Sequence, residues 1–152
     1  MSYWDTSALL KLYLEEKDSG QFLSLALTSP PSSTAFIGKH EARTALHRRE
    51  CEGALKDGGA VILFAAILLE FERRRLTLVP ESGELEVQFG QILEFCMAAS
   101  PPIFIRTNDA LHLAAARVAG EIDFVSADIR QRFAAEALGF HVLPAQYYPN
   151  KQ

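Results

Sequence analysis

The stretch IFIRTNDALHLAAARVAGEIDFVSAD, residues 103–128, decides the expected fold. It places Asp109 at the start of an apolar helical run and Asp128 directly after the short apolar run Asp123 to Ala127. A further helix is predicted from Ile129 to Leu138, so Asp128 marks the end of a strand and the start of a helix. Sites in open α/β sheets are built at the carboxyl ends of strands. The alternative is that both acids only favour helix N-termini, where a carboxylate accepts backbone N–H bonds and meets the positive end of the helix dipole.

The N-terminus repeats this arrangement. Ser2 to Trp4 are predicted to form a short strand that ends at Asp5, and the leucines of residues 6–14 recur with helical spacing. If the two strands lie side by side in a parallel sheet, right-handed crossovers bring Asp5 and Asp128 to the same edge. Capping of the helix, with Thr6 and Ser7 as competing caps, is the alternative for Asp5.

Alternation of short strands with longer helices along the whole chain predicts an α/β fold. We expect a three-layer α/β/α sandwich around a parallel sheet of four or five strands. The chain has 152 residues, which suits a single domain over residues 1–145 followed by a tail, 146–152. The sequence carries no internal repeat and no low-complexity segment.

Composition narrows the class of protein further. The longest apolar run, Ala60 to Leu69, is too short for a membrane helix of about 20 residues and predicts a buried helix or an interface. Cys51 and Cys96 are far apart, form no zinc pattern and follow no signal peptide, which favours a reducing cytoplasm. The net charge is −4, so any binding of nucleic acid has to be local.

A third acid, Glu41, falls in a predicted helix from Ile37 to Arg49. It lies one turn after Ile37 and one turn before Ala45, on or beside the apolar face, where an unpaired carboxylate is costly. A metal ion or a basic partner would offset that cost. The alternative is a solvated glutamate at the rim of the apolar stripe.

The same helix carries the best basic cluster near these acids. Arg43, Arg48 and Arg49 are candidates for RNA contacts, and the alternative is an ordinary solvated face. A second basic run, Arg73 to Arg75, ends the next predicted helix, where the helix dipole alone favours arginine.

Four carboxylates are therefore candidates for one site: Asp5, Glu41, Asp109 and Asp128. Such crowding raises carboxylate pKa values and destabilises the fold unless a cation binds. Hard ions such as Mg2+ and Mn2+ prefer oxygen ligands and leave positions for phosphate oxygens, which suits phosphodiester hydrolysis by metal-activated water.

Three further side chains are candidates for supporting these acids. Ser7 and Ser126 flank them and could hold water or a carboxylate, or only cap locally. His112 follows Asp109 by one turn, so it could orient that carboxylate or face the pocket, or be a packed histidine with no further role.

Three segments of the chain resemble the PIN-domain ribonucleases, and within them the VapC toxins of toxin–antitoxin pairs. Their spacing covers nearly the whole chain, and the segments are Tyr3-Trp4-Asp5-Thr6-Ser7-Ala8-Leu9-Leu10-Lys11-Leu12-Tyr13, Asp109-Ala110-Leu111-His112-Leu113-Ala114-Ala115-Ala116, and Phe124-Val125-Ser126-Ala127-Asp128 before Ala134-Ala135-Glu136-Ala137-Leu138-Gly139-Phe140. Ser126 stands where the family often has threonine, and Ile37-Gly38-Lys39-His40 differs from the usual approach to the glutamate.

This resemblance implies a PIN-like fold and endonucleolytic cleavage of RNA that depends on Mg2+ or Mn2+. It implies that the four acids form the catalytic site, with Asp5, Asp109 and Asp128 as the metal ligands. It also implies a cytoplasmic protein that forms a homodimer or a larger assembly and is inhibited by a cognate antitoxin. By position, the helix from Ala60 to Leu69 resembles the part of such proteins that meets the antitoxin or a second subunit.

Two other functions stay open on sequence alone. One is a non-catalytic RNA-binding module that retains the acidic pocket and acts by occupying RNA. The other is a phosphatase with Asp5 as nucleophile, although Ser7 stands where such enzymes typically place a second aspartate.

Overall fold

A five-stranded sheet in which every pairing is parallel forms the centre of the computed structural model, which describes residues 2–147 and 149. The predicted tail, residues 146–152, therefore falls partly outside the described residues. The strands lie in the order β3-β2-β1-β4-β5. Their bounds are β1 Ser2–Trp4, β2 Pro31–Ala35, β3 Thr77–Val79, β4 Asp123–Val125 and β5 His141–Leu143. The predicted parallel α/β architecture is confirmed.

Seven helices connect the strands within the described residues. Their bounds are α1 Thr6–Leu10, α2 Ser19–Thr28, α3 Phe36–Cys51, α4 Gly59–Glu72, α5 Gly83–Ala98, α6 Thr107–Val118 and α7 Ile129–Ala137. The first helix is shorter than its leucine spacing predicts. Beyond Leu10 the backbone bonds of Lys11 and Leu12 reach back only three residues. The chain then reverses, and Lys11 pairs with Glu16 and Asp18.

The sheet buries both of its faces because successive side chains of a strand point to opposite sides. Tyr3 and Phe124 stack in the core on the side of α5, α6 and α7. Trp4 and Val125 pack with Phe22 of α2 on the other side. Helix α4 packs on α3 in a separate cluster, which places α3 between the sheet and the outer helix.

The strand order reverses between β1 and β4. From β1 the chain moves outward to β2 and β3, whereas the later strands β4 and β5 are added on the opposite side of β1. A crevice outside the carboxyl ends of the strands at such a switch point is where ligands bind in open α/β sheets. Asp5 ends β1 at this point, and its backbone N–H donates to the Val125 carbonyl at 3.0 Å.

No helix within the described residues is long and apolar enough to cross a membrane. Helix α4, which contains the longest apolar run, has only 14 residues.

Candidate active site at the carboxyl edge of the sheet

The four acids chosen from the sequence line one cavity of about 250 Å³ at the switch point. They come from four places in the chain: the end of β1, the middle of α3, the first turn of α6 and the start of α7. The cavity wall also includes Thr6, Ser7, Leu10, Ala45, Arg106, His112 and Gln131. The sequence-based grouping of the acids at one edge therefore agrees with the geometry.

Asp5 is the most enclosed of the four, with 2% of its surface exposed. Its carboxylate accepts hydrogen bonds from the Ser7 hydroxyl at 2.8 and 2.9 Å, the Ser126 hydroxyl at 2.6 Å and the Ala8 backbone N–H at 2.8 Å. Burial raises the pKa of Asp5, although His112 and these hydrogen bonds partly counteract it. Asp5 thus caps α1 and also faces the cavity.

The two predicted serines tie the ends of β1 and β4 together. The Ser7 hydroxyl accepts the Ala127 N–H at 2.9 Å, and the Ser126 hydroxyl accepts the Asp128 N–H at 3.0 Å. Because each serine also donates to Asp5, each of them links two parts of the site. Each serine thus accepts a local backbone N–H and supports the Asp5 carboxylate at the same time.

Asp128 is the N-cap of α7. One of its oxygens accepts the Arg130 N–H at 2.8 Å and the Gln131 N–H at 3.4 Å. The capping alternative is correct for Asp128, as for Asp5, but it does not account for the position of both acids on the same cavity.

Asp109 differs from the other acids because its side chain accepts no hydrogen bond from residues 2–147. It is the third residue of α6, whose N-cap is Arg106, so it lies in the first turn of the helix without capping it. Burial raises the pKa of Asp109, and the nearby charge of Asp128 raises it further, while Arg106 and His112 lower it in part and Glu41 adds a smaller increase. Asp109 is therefore a carboxylate with like charges beside it.

Glu41 lies on the same cavity in the opposite electrostatic situation. One oxygen accepts from Asn108 Nδ2 at 2.8 Å, and the other accepts from the Thr6 hydroxyl at 2.6 Å and from His112 Nε2 at 2.8 Å. Burial opposes ionisation, but the hydrogen bond from His112, together with those from Thr6 and Asn108, outweighs it and lowers the pKa of Glu41 to about 2. His112 is thus the partner that offsets the cost of placing the Glu41 carboxylate beside the apolar face.

His112 belongs to a buried chain of hydrogen bonds. It is 2% exposed, and its Nδ1 lies 2.6 Å from the hydroxyl of Tyr3, which itself accepts the Ala35 N–H at 2.8 Å. The sequence placed this histidine beside Asp109, but its hydrogen bond is to Glu41. Helical spacing puts His112 on the same side as Asp109 without showing which neighbouring helix it faces.

The three predicted arginines separate in the structure. Arg49 lines a second cavity of about 310 Å³, which shares Ser7, Leu10, Ala45 and Asp128 with the acid cavity. Arg43 places its guanidinium over the ring of Phe64 on α4, 5.5 Å from the centroid, and Arg48 lines neither cavity. Of these three arginines, only Arg49 lines this second cavity, which forms a groove next to the acid cavity.

Sequence reasoning did not assign Tyr3, Asn108 or Arg106 to the site, and treated Thr6 only as a cap. Thr6 and Asn108 each stand next to a candidate acid, which was an available signal. Tyr3 is two residues before Asp5 and so points to the same face of β1. Its link to α6 depends on packing that spacing does not reveal.

The donors in this cavity match a hard divalent ion in type, since they are carboxylate oxygens. Within the described residues, no three acidic, histidine or cysteine side chains already converge on one metal position. Mg2+ commonly keeps several waters and binds through one or two carboxylates and substrate phosphates, so a wide cavity suits it. The bare carboxylate of Asp109, next to the charge of Asp128, is the feature that fits a cation best.

Comparison with known proteins identifies the architecture. No family model and no curated protein matches the chain. Among solved structures, it matches Mycobacterium tuberculosis VapC20, described as a sarcin–ricin loop cleaving toxin. The match has a TM-score of 0.66 and covers 93% of this chain and 97% of VapC20. The chain has the PIN-like fold of VapC20. At 22% sequence identity, the match to VapC20 establishes the fold.

Proposed function

We propose that this protein is an endoribonuclease of the VapC toxin type that depends on Mg2+ or Mn2+. The observation that carries the proposal is the acid cavity at the switch point of a PIN-like fold, lined by Asp5, Glu41, Asp109 and Asp128. VapC20 is described as a toxin that cleaves an RNA loop, which supports the same class of substrate for this chain.

The residues of the cavity divide the work. Asp109 and Asp128 would hold the divalent ion with an oxygen of Asp5, which Ser7 and Ser126 orient. When bound, the ion supplies Lewis acidity toward a phosphate oxygen and lowers the pKa of a water molecule. Glu41 lines the same cavity with its carboxylate held by His112, and there it can accept a proton or orient a water.

The groove next to the acids offers a path for the RNA chain. Its walls include Leu10, Lys11, Leu14, Glu16 and Arg49, so apolar side chains lie beside two cations that are paired with acids. Arg49 is 44% exposed and pairs with Glu16, an arrangement that leaves part of its guanidinium accessible to a phosphate. Arg43 and Arg48 lie outside this groove and have smaller roles in the proposal.

Helix α4 supports the proposed protein partners. It exposes Val61 by 63%, Ile62 by 70% and Leu69 by 43%, an apolar surface of the kind that binds another chain. We assign it to the cognate antitoxin or to a second subunit of a homodimer in the cytoplasm. Ile67 is fully buried, so it belongs to the core and a test of this surface has to use the exposed positions.

That surface is tested with the double variant Val61→Glu, Ile62→Glu, and with Val87→Glu, at another exposed apolar side chain on α5, as the control. Light scattering on the purified proteins and capture of the neighbouring-gene protein on co-expression measure the two partners. The proposal predicts loss of at least one association in the α4 variant alone. Retention of both would exclude α4.

The catalytic proposal is tested by cleavage of end-labelled large-subunit ribosomal RNA and tRNA. Wild type, Asp128→Asn and the control Asp57→Asn are compared with Mg2+, Mn2+ or EDTA; Asp57 is an exposed acid between α3 and α4. We expect discrete fragments from wild type and Asp57→Asn with metal only. Cleavage that survives both EDTA and Asp128→Asn would refute the proposal.

The same assay separates the alternatives. An RNA-binding module that acts by occupancy would bind RNA without cutting it, and Asp128→Asn would leave its effect on growth unchanged. The phosphatase alternative is disfavoured by Asp5, which is 2% exposed and accepts hydrogen bonds on both oxygens. A trapped acyl-phosphate on Asp5 would restore it.

A further inference from the structure

The hydroxyl of Tyr3 hydrogen-bonds to groups from two other elements of the fold. It extends from β1, accepts the N–H of Ala35 at the start of α3, and contacts His112 Nδ1 on α6. Tyr3 and His112 are both buried, with 0% and 2% exposure, so no solvent competes for these bonds. The hydroxyl therefore fixes α3 and α6 relative to the strand that ends in Asp5.

The direction of each hydrogen bond follows from the donors present. Ionised Glu41 can only accept, so His112 Nε2 must carry the proton that bridges the 2.8 Å gap. The Tyr3 oxygen already accepts from Ala35, and its own proton faces Nδ1 at 2.6 Å. The two ring nitrogens are thus assigned opposite roles, with Nδ1 as acceptor from Tyr3 and Nε2–H as donor to Glu41.

Close packing around His112 restricts it to this orientation. A Cβ added at Gly38 would lie 3.0 Å from the Thr34 hydroxyl, 3.1 Å from the Thr6 hydroxyl and 3.2 Å from His112 Cε1. Glycine thus lets α3 approach the histidine closely. Thr6, which donates to the same Glu41 oxygen at 2.6 Å, closes the network from the side of α1.

We propose that Tyr3 and His112 are positioning residues that hold the Glu41 carboxylate in the acid cavity through a relay from Tyr3 O–H to His112 Nδ1 and from His112 Nε2–H to Glu41. The proposal rests on the nuclease function for its kinetic consequence, but the geometry of the relay does not depend on that function. Neither residue contacts the reacting atoms, since Tyr3 is wholly enclosed and His112 reaches the cavity only beside Glu41.

The test removes one oxygen from the relay with Tyr3→Phe. Tyr147→Phe is the control for the NMR measurement only, because Tyr147 lines the groove proposed for RNA. It deletes a hydroxyl that is remote from the relay and donates to the buried carboxylate of Asp18 at 2.8 Å. The first measurement is a long-range nitrogen–proton NMR spectrum of the His112 ring in the metal-free full chain. We expect wild type and Tyr147→Phe to show a proton on Nε2 and none on Nδ1, whereas Tyr3→Phe shows a mixture of tautomers.

The second measurement is RNA cleavage well below the melting temperature of each variant. We expect kcat of Tyr3→Phe to fall about 10- to 100-fold with KM unchanged, as for other groups that orient a reactive residue. His112→Gln, which keeps a donor near Glu41, should retain more of kcat than His112→Leu.

A His112 proton on Nδ1 in wild type, or a Tyr3→Phe variant with wild-type kcat, would overturn the proposal. If wild type cleaves no RNA, the nuclease function fails and the NMR spectrum alone decides the relay. A relay confirmed by NMR in an inactive protein would separate the two results.

Discussion

Glu41 and Asp109 line the same cavity, yet their surroundings move their pKa values in opposite directions. Hydrogen bonds from His112, Thr6 and Asn108 lower the pKa of Glu41 to about 2, despite its burial. Burial and the charge of Asp128 raise the pKa of Asp109, which accepts no side-chain hydrogen bond from residues 2–147. The wall that carries Glu41 stabilises its carboxylate, whereas the wall formed by Asp109 and Asp128 does not stabilise Asp109.

The difference shows how the two walls contribute to the proposed reaction. The Glu41 wall is preorganised by Thr6, Asn108 and His112 and needs no ion to be stable. The wall formed by Asp109 and Asp128 carries repulsion that a bound cation would relieve. Glu41→Gln and Asp109→Asn are therefore expected to have different effects on the stability of the metal-free protein.

The largest expected effect is on catalysis. Asp109→Asn should lower the rate of RNA cleavage by more than about 100-fold, because orienting partners of metal sites alone cost about 10- to 100-fold. Single-turnover cleavage of end-labelled RNA measures it, with Asp57→Asn as the control. A residual rate within ten-fold of wild type would remove Asp109 from the site.

A smaller effect concerns the stability of the metal-free protein. Glu41→Gln should lower the free energy of unfolding by about 1–3 kcal/mol, because it removes hydrogen bonds to an ionised group. Asp109→Asn should leave stability unchanged or raise it, since it removes repulsion from Asp128. Urea unfolding measures both. Loss of stability of equal size in the two variants would contradict the difference between the walls.

The effect of pH on stability should also differ between Glu41 and Asp109. Glu41 ionises more readily in the folded state, so its stabilising contribution is complete above its ordinary pKa of 4.5 and is lost as the pH falls to about 2. The gap between wild type and Glu41→Gln should therefore narrow over this range. For Asp109, whose folded pKa is raised from 3.8, a destabilising contribution should instead appear as the pH rises through its pKa values. Urea unfolding at a series of pH values follows both.

The smallest effect separates the two basic surfaces. Arg49→Gln should weaken RNA binding modestly and reduce the slope of log K against log salt concentration by about 0.7, as expected for one lost phosphate contact with a single strand. Arg43→Gln should leave that slope unchanged, because Arg43 packs over Phe64 away from the groove. Filter binding with catalytically inactive Asp128→Asn protein measures both, and equal slopes for the two would disprove the assigned path.

The sequence was sufficient to predict the sheet and the position of the four acids at one edge of it, because both depend on local patterns. A short apolar run that ends in an acid before a helix identifies β1 with Asp5 and β4 with Asp128. The end of α1 was predicted four residues too late, because leucine spacing continues to Leu14 while Lys11 pairs with Glu16 and Asp18. A periodic pattern does not show where such ion pairs form and the helix ends.

The relations between distant elements could not be predicted in the same way. Glu41 and His112 are 71 residues apart, and nothing near either residue shows that they form a hydrogen bond. From the sequence, Tyr3 is an ordinary aromatic residue of a strand. Its contact with His112 of α6 depends on tertiary packing, including the close approach of α3 that Gly38 permits. Helical spacing likewise could not show that Ile67 faces α3 while Val61 and Ile62 face outward.

Titration of Mn2+ followed by electron paramagnetic resonance tests directly whether Asp109 and Asp128 bind a divalent cation, without knowledge of the RNA target. We expect saturable binding to wild type and Asp57→Asn, competition by Mg2+, and loss of that binding in Asp109→Asn. Binding of equal affinity to wild type and Asp109→Asn, or no binding to wild type, would contradict this expectation.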